Sequence, residues 1–135
     1  MKILLTGVTG FLGSHLARVL VGCGYDVIGI KRKESDVFRL VDINDKITYI
    51  DVDNGVEELF KNCNIDIIIH AATVYGNGME SVSDIITANV LLPLRLLEKA
   101  IEQGSCAFVN TDTFFLKADQ KYSHLSHYTS SKKFF

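Results

Sequence analysis

Proline is almost missing from this chain: there is one in 135 residues. Low-complexity runs are missing too, which excludes a disordered or fibrous chain. No basic block is present and the formal net charge is −2, so the electrostatic footprint of a nucleic-acid binder is absent. No apolar run reaches the roughly 20 residues that span a bilayer. The opening apolar run is too short for a signal peptide and leads straight into glycines. A cytoplasmic protein without a membrane anchor is the expectation. Cys23, Cys63 and Cys106 are odd in number and widely spaced, with no C-x-x-C, so they read as reduced core thiols. What is abundant is apolar: 47% of residues are hydrophobic and 22% charged, enough for one well-packed domain.

The stretch that organises the chain lies at its start. Residues 3–5 form a short apolar run that reads as a buried strand. Gly7, Gly10 and Gly13 follow at three-residue spacing, and Leu12, Leu16, Val19 and Leu20 then recur at helical period. A strand feeding a helix through a glycine turn makes a phosphate site, because the helix N-terminus offers unpaired N–H groups and a positive dipole end. Gly7 would permit the tight turn, Gly10 would clear space for a pyrophosphate, and Gly13 would let helix and strand pack closely. A helix that merely starts after a turn shows the same glycines; their place at the end of the first strand favours the phosphate reading. The spacing is G-x-x-G-x-x-G rather than the G-x-G-x-x-G of ordinary dinucleotide dehydrogenases.

A second strand is expected over residues 25–30, ending in Lys31, Arg32 and Lys33 with Ser35 nearby. In a dinucleotide fold an acidic residue there holds the ribose 2′-hydroxyl of NAD, and a basic one accommodates the 2′-phosphate of NADP. Lys31 and Arg32 therefore favour NADP, with NAD the alternative; a solvated basic turn gives the same sequence. A short helix is expected over residues 37–41, a third strand over 47–52, and a helix over 56–62. Asp51 could meet an adenine amino group or cap that helix. A fourth strand, residues 65–70, is a β-branched run that ends in His70, Ala71, Ala72 and Thr73. Small residues there would let backbone approach a cofactor. His70 has no second metal ligand in sight and is expected to be an ordinary packed histidine.

Residues 79–102 carry a long helical pattern, with Val82, Ile85, Asn89, Leu92 and Leu96 on one stripe. Pro93 cannot donate to the Asn89 carbonyl, so a kink is expected, with that carbonyl aimed inward. A fifth strand over residues 106–110 leads into Thr111, Asp112 and Thr113. Further on, Tyr128 and Lys132 are four apart and would share a helix face. A lysine ammonium beside a tyrosine lowers the phenol's pKa and would make it a usable acid or base.

Taken in order, these pieces resemble the extended short-chain dehydrogenase/reductase family: the nucleotide-sugar epimerases, dehydratases and reductases. The resemblance implies an α/β fold, a doubly wound parallel sheet of order 3-2-1-4-5. It implies cofactor contacts from Gly7, Thr9, Gly10, Phe11, Leu12, Gly13, Lys31, Arg32, Asp51, Val52, Ala71, Ala72, Thr73, Tyr128 and Lys132. It gives Tyr128 the role of catalytic acid/base and Lys132 that of ribose anchor. Thr111 becomes the partner of the sugar oxygen, and Asn89 a member of a proton relay. Thr113 stands where 4,6-dehydratases have a glutamate base, and Phe114 and Phe115 replace a usual Val-Tyr pair. The run from Asn110 to Phe114 looks more like the CDP-abequose and CDP-paratose synthases, NADPH-dependent reductases of a CDP-4-keto-deoxyhexose. A 4-epimerase is the neighbouring expectation, and a non-catalytic NADP-binding regulatory or structural domain the alternative from another class. A flavodoxin-like domain has no need of three spaced glycines. Family members run about twice as long, so residues 1–135 are expected to be the dinucleotide-binding part without a substrate domain. On its own this part would have little or no turnover, and its exposed edge with Phe134 and Phe135 would self-associate.

Overall fold

The computed structural model describes residues 1–53, 56–76, 80–104, 107–117 and 125–134. The apolar runs form five strands: β1 (Lys2–Thr6), β2 (Asp26–Lys31), β3 (Ile47–Asp51), β4 (Ile67–His70) and β5 (Ala107–Asn110). All pair in parallel, in the order β3-β2-β1-β4-β5 that the sequence leads one to expect. The chain winds outward from β1 through β2 to β3, then crosses to the other side of β1. That reversal puts a crevice at the carboxyl ends of β1 and β4, where open α/β sheets bind ligands.

Alternate residues of each strand serve opposite faces. Leu5, Val27 and Ile47 pack under helix α1 (Phe11–Gly22), together with Val8, Ala17 and Leu40. Leu4, Ile28 and Ile68 pack on the other face against α2 (Val56–Asn62) and α4 (Leu92–Gln103), through Leu59, Phe60 and Leu96. Burying both faces is what makes the continuous β-branched runs necessary. The expected short helix after β2 is a 3₁₀ turn, Phe38–Leu40, wrapped round the buried Leu40. Ile65 is buried but lies ahead of β4 rather than in it.

The long helical pattern is not one helix. It divides into α3 (Val82–Ile86), a π turn (Thr87–Leu91) and α4; residue 79 lies outside the described residues. Ser81 and Asp84 start α3 with a reciprocal capping box. Within the π turn the Leu92 N–H donates to the Thr87 carbonyl, five residues back. Pro93 then falls in the first turn of α4, where a missing N–H costs nothing. The expected kink is therefore a change of helical register, not a bend at proline. Ile85, Asn89 and Leu96 are buried as expected, but Val82, at the start of α3, is exposed. The reading of core thiols is corrected: Cys23 is exposed and Cys63 half-buried, both free, and Cys106 lies outside the described residues. A last helix, α5 (Ser126–Lys132), lies against α3 and the π turn. Among the described residues no helix is long and apolar enough to cross a membrane.

Candidate active site

The glycine turn is shaped by backbone contact. Gly7 has φ +67°, and a Cβ there would come within 2.7 Å of the Ala72 nitrogen. A Cβ on Gly13 would sit 2.0 Å from the Gly7 carbonyl oxygen, so helix and strand touch backbone to backbone. Gly10 donates its N–H to the same carbonyl at 2.9 Å. Gly10 is the N-cap of α1, no side chain caps that terminus, and the first turn holds no acidic residue. Phe11 and Leu12 are exposed beside it.

Thr6, at the end of β1, ties this turn to β4. Its hydroxyl accepts the N–H groups of Ala71 at 3.2 Å and Ala72 at 3.0 Å, and lies 2.8 Å from His70 Nδ1. His70 is fully buried, which pulls its pKa down from 6.5 to about 4, with the Lys132 charge acting in the same direction. It is a packed histidine, as expected, and no metal-ligand cluster occurs among the described residues.

Asn89 is the hub of the other side of the crevice. Its Oδ1 accepts from the Val74 N–H at 2.8 Å and the Thr73 hydroxyl at 3.3 Å. Its Nδ2 donates to the Val74 carbonyl at 2.9 Å and to Ser131 Oγ at 3.0 Å. Ser131 in turn donates to the Tyr128 carbonyl at 2.7 Å. Asn89 thus clamps the segment after β4 to α5. The sequence showed a polar residue on a buried stripe but gave no sign of Ser131, which is fully buried.

Tyr128 and Lys132 share the buried face of α5, at 3% and 4% exposure. Their expected coupling is not what the structure shows. The Lys132 ammonium donates to the Thr111 carbonyl at 2.9 Å. Burial pulls its pKa down, against the pull of Asp112. Burial pushes the Tyr128 phenol above its ordinary value, and Tyr75 adds to that; hydrogen bonding with Thr113 and Thr73 draws it back. The Tyr75 and Tyr128 rings lie 4.7 Å apart, tilted by 42°. The expected lowering by lysine is therefore corrected: burial raises the phenol, and the Lys132 ammonium is engaged on the Thr111 carbonyl instead. The Thr111 hydroxyl donates to the His70 carbonyl at 3.2 Å. Thr113, Tyr75 and Thr73 stand beside the phenol. A count of hydroxyls in the segments after β4 and β5 was the only sequence signal for them.

At the end of β2 the basic run behaves unevenly. Lys31 Nζ turns back onto the carbonyls of Arg32 and Lys33, at 3.3 and 3.1 Å. Arg32, Lys33 and Ser35 line a cleft with Glu34, Asp51 and Asp53. Asp51 Oδ1 accepts the Asp53 N–H at 3.1 Å rather than capping α2, and Val52 is half-buried between them. A second, more apolar cleft at the amino edge of the sheet, lined by Lys2, Ile28, Ile50, Leu59 and Cys63, faces away from all these residues.

The residues present fit a dinucleotide. The turn is closed to any Cβ at Gly7 and Gly13, and the uncapped α1 terminus follows it directly.

Comparison with known proteins gives a consistent picture. The model of the NAD dependent epimerase/dehydratase family matches residues 3–132. CDP-abequose synthase of Salmonella muenchen is 36% identical over 134 residues, covering 99% of this chain and 45% of that protein. The chain thus spans about half the length of this relative. The solved UDP-glucose 4-epimerase of Thermotoga maritima, described with UDP-glucose, aligns with a TM-score of 0.72 at 26% identity, over 84% of this chain and 38% of that one. The UDP-glucuronic acid 4-epimerase of Bacillus cereus, described in complex with NAD, aligns with a TM-score of 0.79 at 22% identity, over 99% of this chain and 50% of that one, and shows the shared fold.

Proposed function

The chain belongs to the NAD dependent epimerase/dehydratase family, of the extended short-chain dehydrogenase/reductase type, and on that premise we propose that it supplies the cofactor-binding half of an NADP(H)-dependent nucleotide-sugar oxidoreductase. The reaction proposed is reduction of a CDP-4-keto-deoxyhexose at C4. The observation that carries it is that the segments leaving β1, β4 and β5 bring together the Gly7 turn against Ala72, Tyr128 beside Thr73 and Thr113, and Lys132 on the Thr111 carbonyl. The choice of sugar and nucleotide rests on the likeness to CDP-abequose synthase.

Backbone N–H groups at the start of α1 would hold the diphosphate, between Gly10 and Gly13. Arg32 and Lys33 would meet the adenosine 2′-phosphate, with Ala71, Ala72 and Thr73 lying along the cofactor. A dinucleotide held by these residues would supply the hydride for C4. Tyr128 gives the proton that the C4 oxygen then needs. A phenol held above its ordinary pKa by burial is protonated at neutral pH, which suits a reduction. Lys132 would reach the nicotinamide ribose once released from the Thr111 carbonyl. Asn89 acts through position, by fixing α5, rather than as a proton carrier. The likeness to UDP-glucose 4-epimerase supports a second reading, C4 epimerisation with NAD.

Calorimetric titration with NADPH and NADH tests the cofactor reading. NADPH is expected to bind more tightly, and Arg32→Asp to reverse the order; tighter NADH binding by the unsubstituted chain refutes the choice of NADP. In a protein carrying the sugar-binding residues as well, Tyr128→Phe is expected to lower kcat by at least about a hundredfold while leaving NADPH affinity unchanged.

A further inference from the structure

Two buried polar atoms at the strand ends lack a hydrogen-bond partner among the described residues: His70 Nε2 and Asn110 Oδ1. They belong to residues paired directly in the β4–β5 register. Thr6 is the register partner of His70 on the other side. Paired residues of parallel strands present their side chains on the same face, so Thr6, His70 and Asn110 form one row across β1, β4 and β5.

The Thr6 hydroxyl fixes the histidine tautomer. Its oxygen already accepts two N–H groups, from Ala71 and Ala72. A hydroxyl has two lone pairs and one proton, so the proton is left for the remaining neighbour, His70 Nδ1 at 2.8 Å. Nδ1 is then an acceptor, and a neutral imidazole carries its own proton on Nε2. The orphaned atoms are thus one donor and one acceptor. A buried donor and acceptor left unmade are costly, and the terminal torsion of Asn110 is soft enough for its amide to turn towards the imidazole.

We infer that Thr6, His70 and Asn110 act as one hydrogen-bonded row in which His70 is neutral, protonated at Nε2 and donating to Asn110, so that the cofactor loop and the Thr111 strand end are set together. Its two ends touch the site. At one end Thr6 holds Ala71 and Ala72, the atoms that a Cβ on Gly7 would strike. At the other, the residue after Asn110 is Thr111, whose N–H and hydroxyl both donate to the His70 carbonyl, at 3.1 and 3.2 Å, and whose own carbonyl receives Lys132. His70 is a positioning residue in this arrangement. The Lys132 ammonium is the charge that faces it, with Asp112 beyond.

The cofactor half of the inference rests on the proposed dinucleotide site; the tautomer half does not, and is read on the chain without cofactor. Two-bond ¹H–¹⁵N spectra of the imidazole are expected to show a bare Nδ1 and a protonated Nε2 from about pH 8 to about pH 5, past the ordinary histidine midpoint near 6.5. A proton on Nδ1, or titration near 6.5, overturns the row. Asn110→Leu is expected to move the Nε2–H resonance to an unbonded position; no movement overturns the link to Asn110. Should that variant fail to fold, Asn110→Asp is expected to raise the His70 titration towards neutrality, and an unchanged titration has the same adverse meaning. Thr6→Val is expected to weaken NADPH binding about tenfold and Thr6→Ser to restore it, the hydroxyl being the working group. Equal affinity in all three overturns the coupling, whereas failure of the unsubstituted chain to bind NADPH overturns the proposed function and leaves the tautomer result standing.

Discussion

Gly13 has less room than any other glycine among the described residues. A methyl group there would lie 2.0 Å from the Gly7 carbonyl oxygen, and no side-chain rotation can relieve a clash with backbone. Gly13→Ala should therefore lower unfolding free energy by about 3 kcal/mol, at the upper end of overpacking costs, and should abolish NADPH binding by prising α1 away from the turn. Gly22 is the control. Nothing lies within 4 Å of a Cβ placed there, so Gly22→Ala should leave stability unchanged or raise it by up to about 1 kcal/mol. Urea denaturation of the two variants checks both signs. The same residue-by-residue view separates the hydroxyls: Thr6 is tied to three partners, Thr111 to backbone, and Thr113 stands nearest in effect to the phenol.

Helix α5 is seven residues long, too short to persist by its own propensity. Among the bonds that hold it are Asn89 Nδ2 to Ser131 Oγ and Lys132 to the Thr111 carbonyl. Asn89→Leu strands the Val74 N–H and carbonyl as well as Ser131, so a loss of about 3 kcal/mol is expected. Ser131→Ala alone should cost about 1 kcal/mol. A double-mutant cycle should return a coupling of about 1 kcal/mol between them; additive effects would show that Asn89 does not hold α5. The π turn aims Asn89 at these partners. That register shift could not be read from the sequence, which pointed to a proline kink; the fault lay in treating the whole stripe as a single α-helix, when one extra residue per turn was being absorbed before Pro93.

At the scale of the molecule, burying a neutral histidine links folding to pH. His70 titrates near 4 when folded and near 6.5 when unfolded, because desolvation first, and the Lys132 charge second, disfavour its cationic form. Its contribution is therefore complete above about pH 6.5 and is withdrawn as pH falls towards 4, by about 3 kcal/mol in all. The stability difference between the unsubstituted chain and His70→Gln should shrink by that amount over the same range, as thermal or urea unfolding would record. Strand positions and the glycine turn were legible in the sequence because each depends on local pattern, β-branched runs and three spaced glycines; the sheet order came with the family resemblance. The contacts of Thr6, Asn89 and Lys132 were not, because their partners lie 15 to 66 residues away. Such separation has a consequence for how the protein is made. The Thr6 hydroxyl leaves the ribosome 66 residues before the Ala72 amide that it must hold. At roughly 5–20 residues per second, the nascent glycine cradle waits several seconds half-built before its second wall is made.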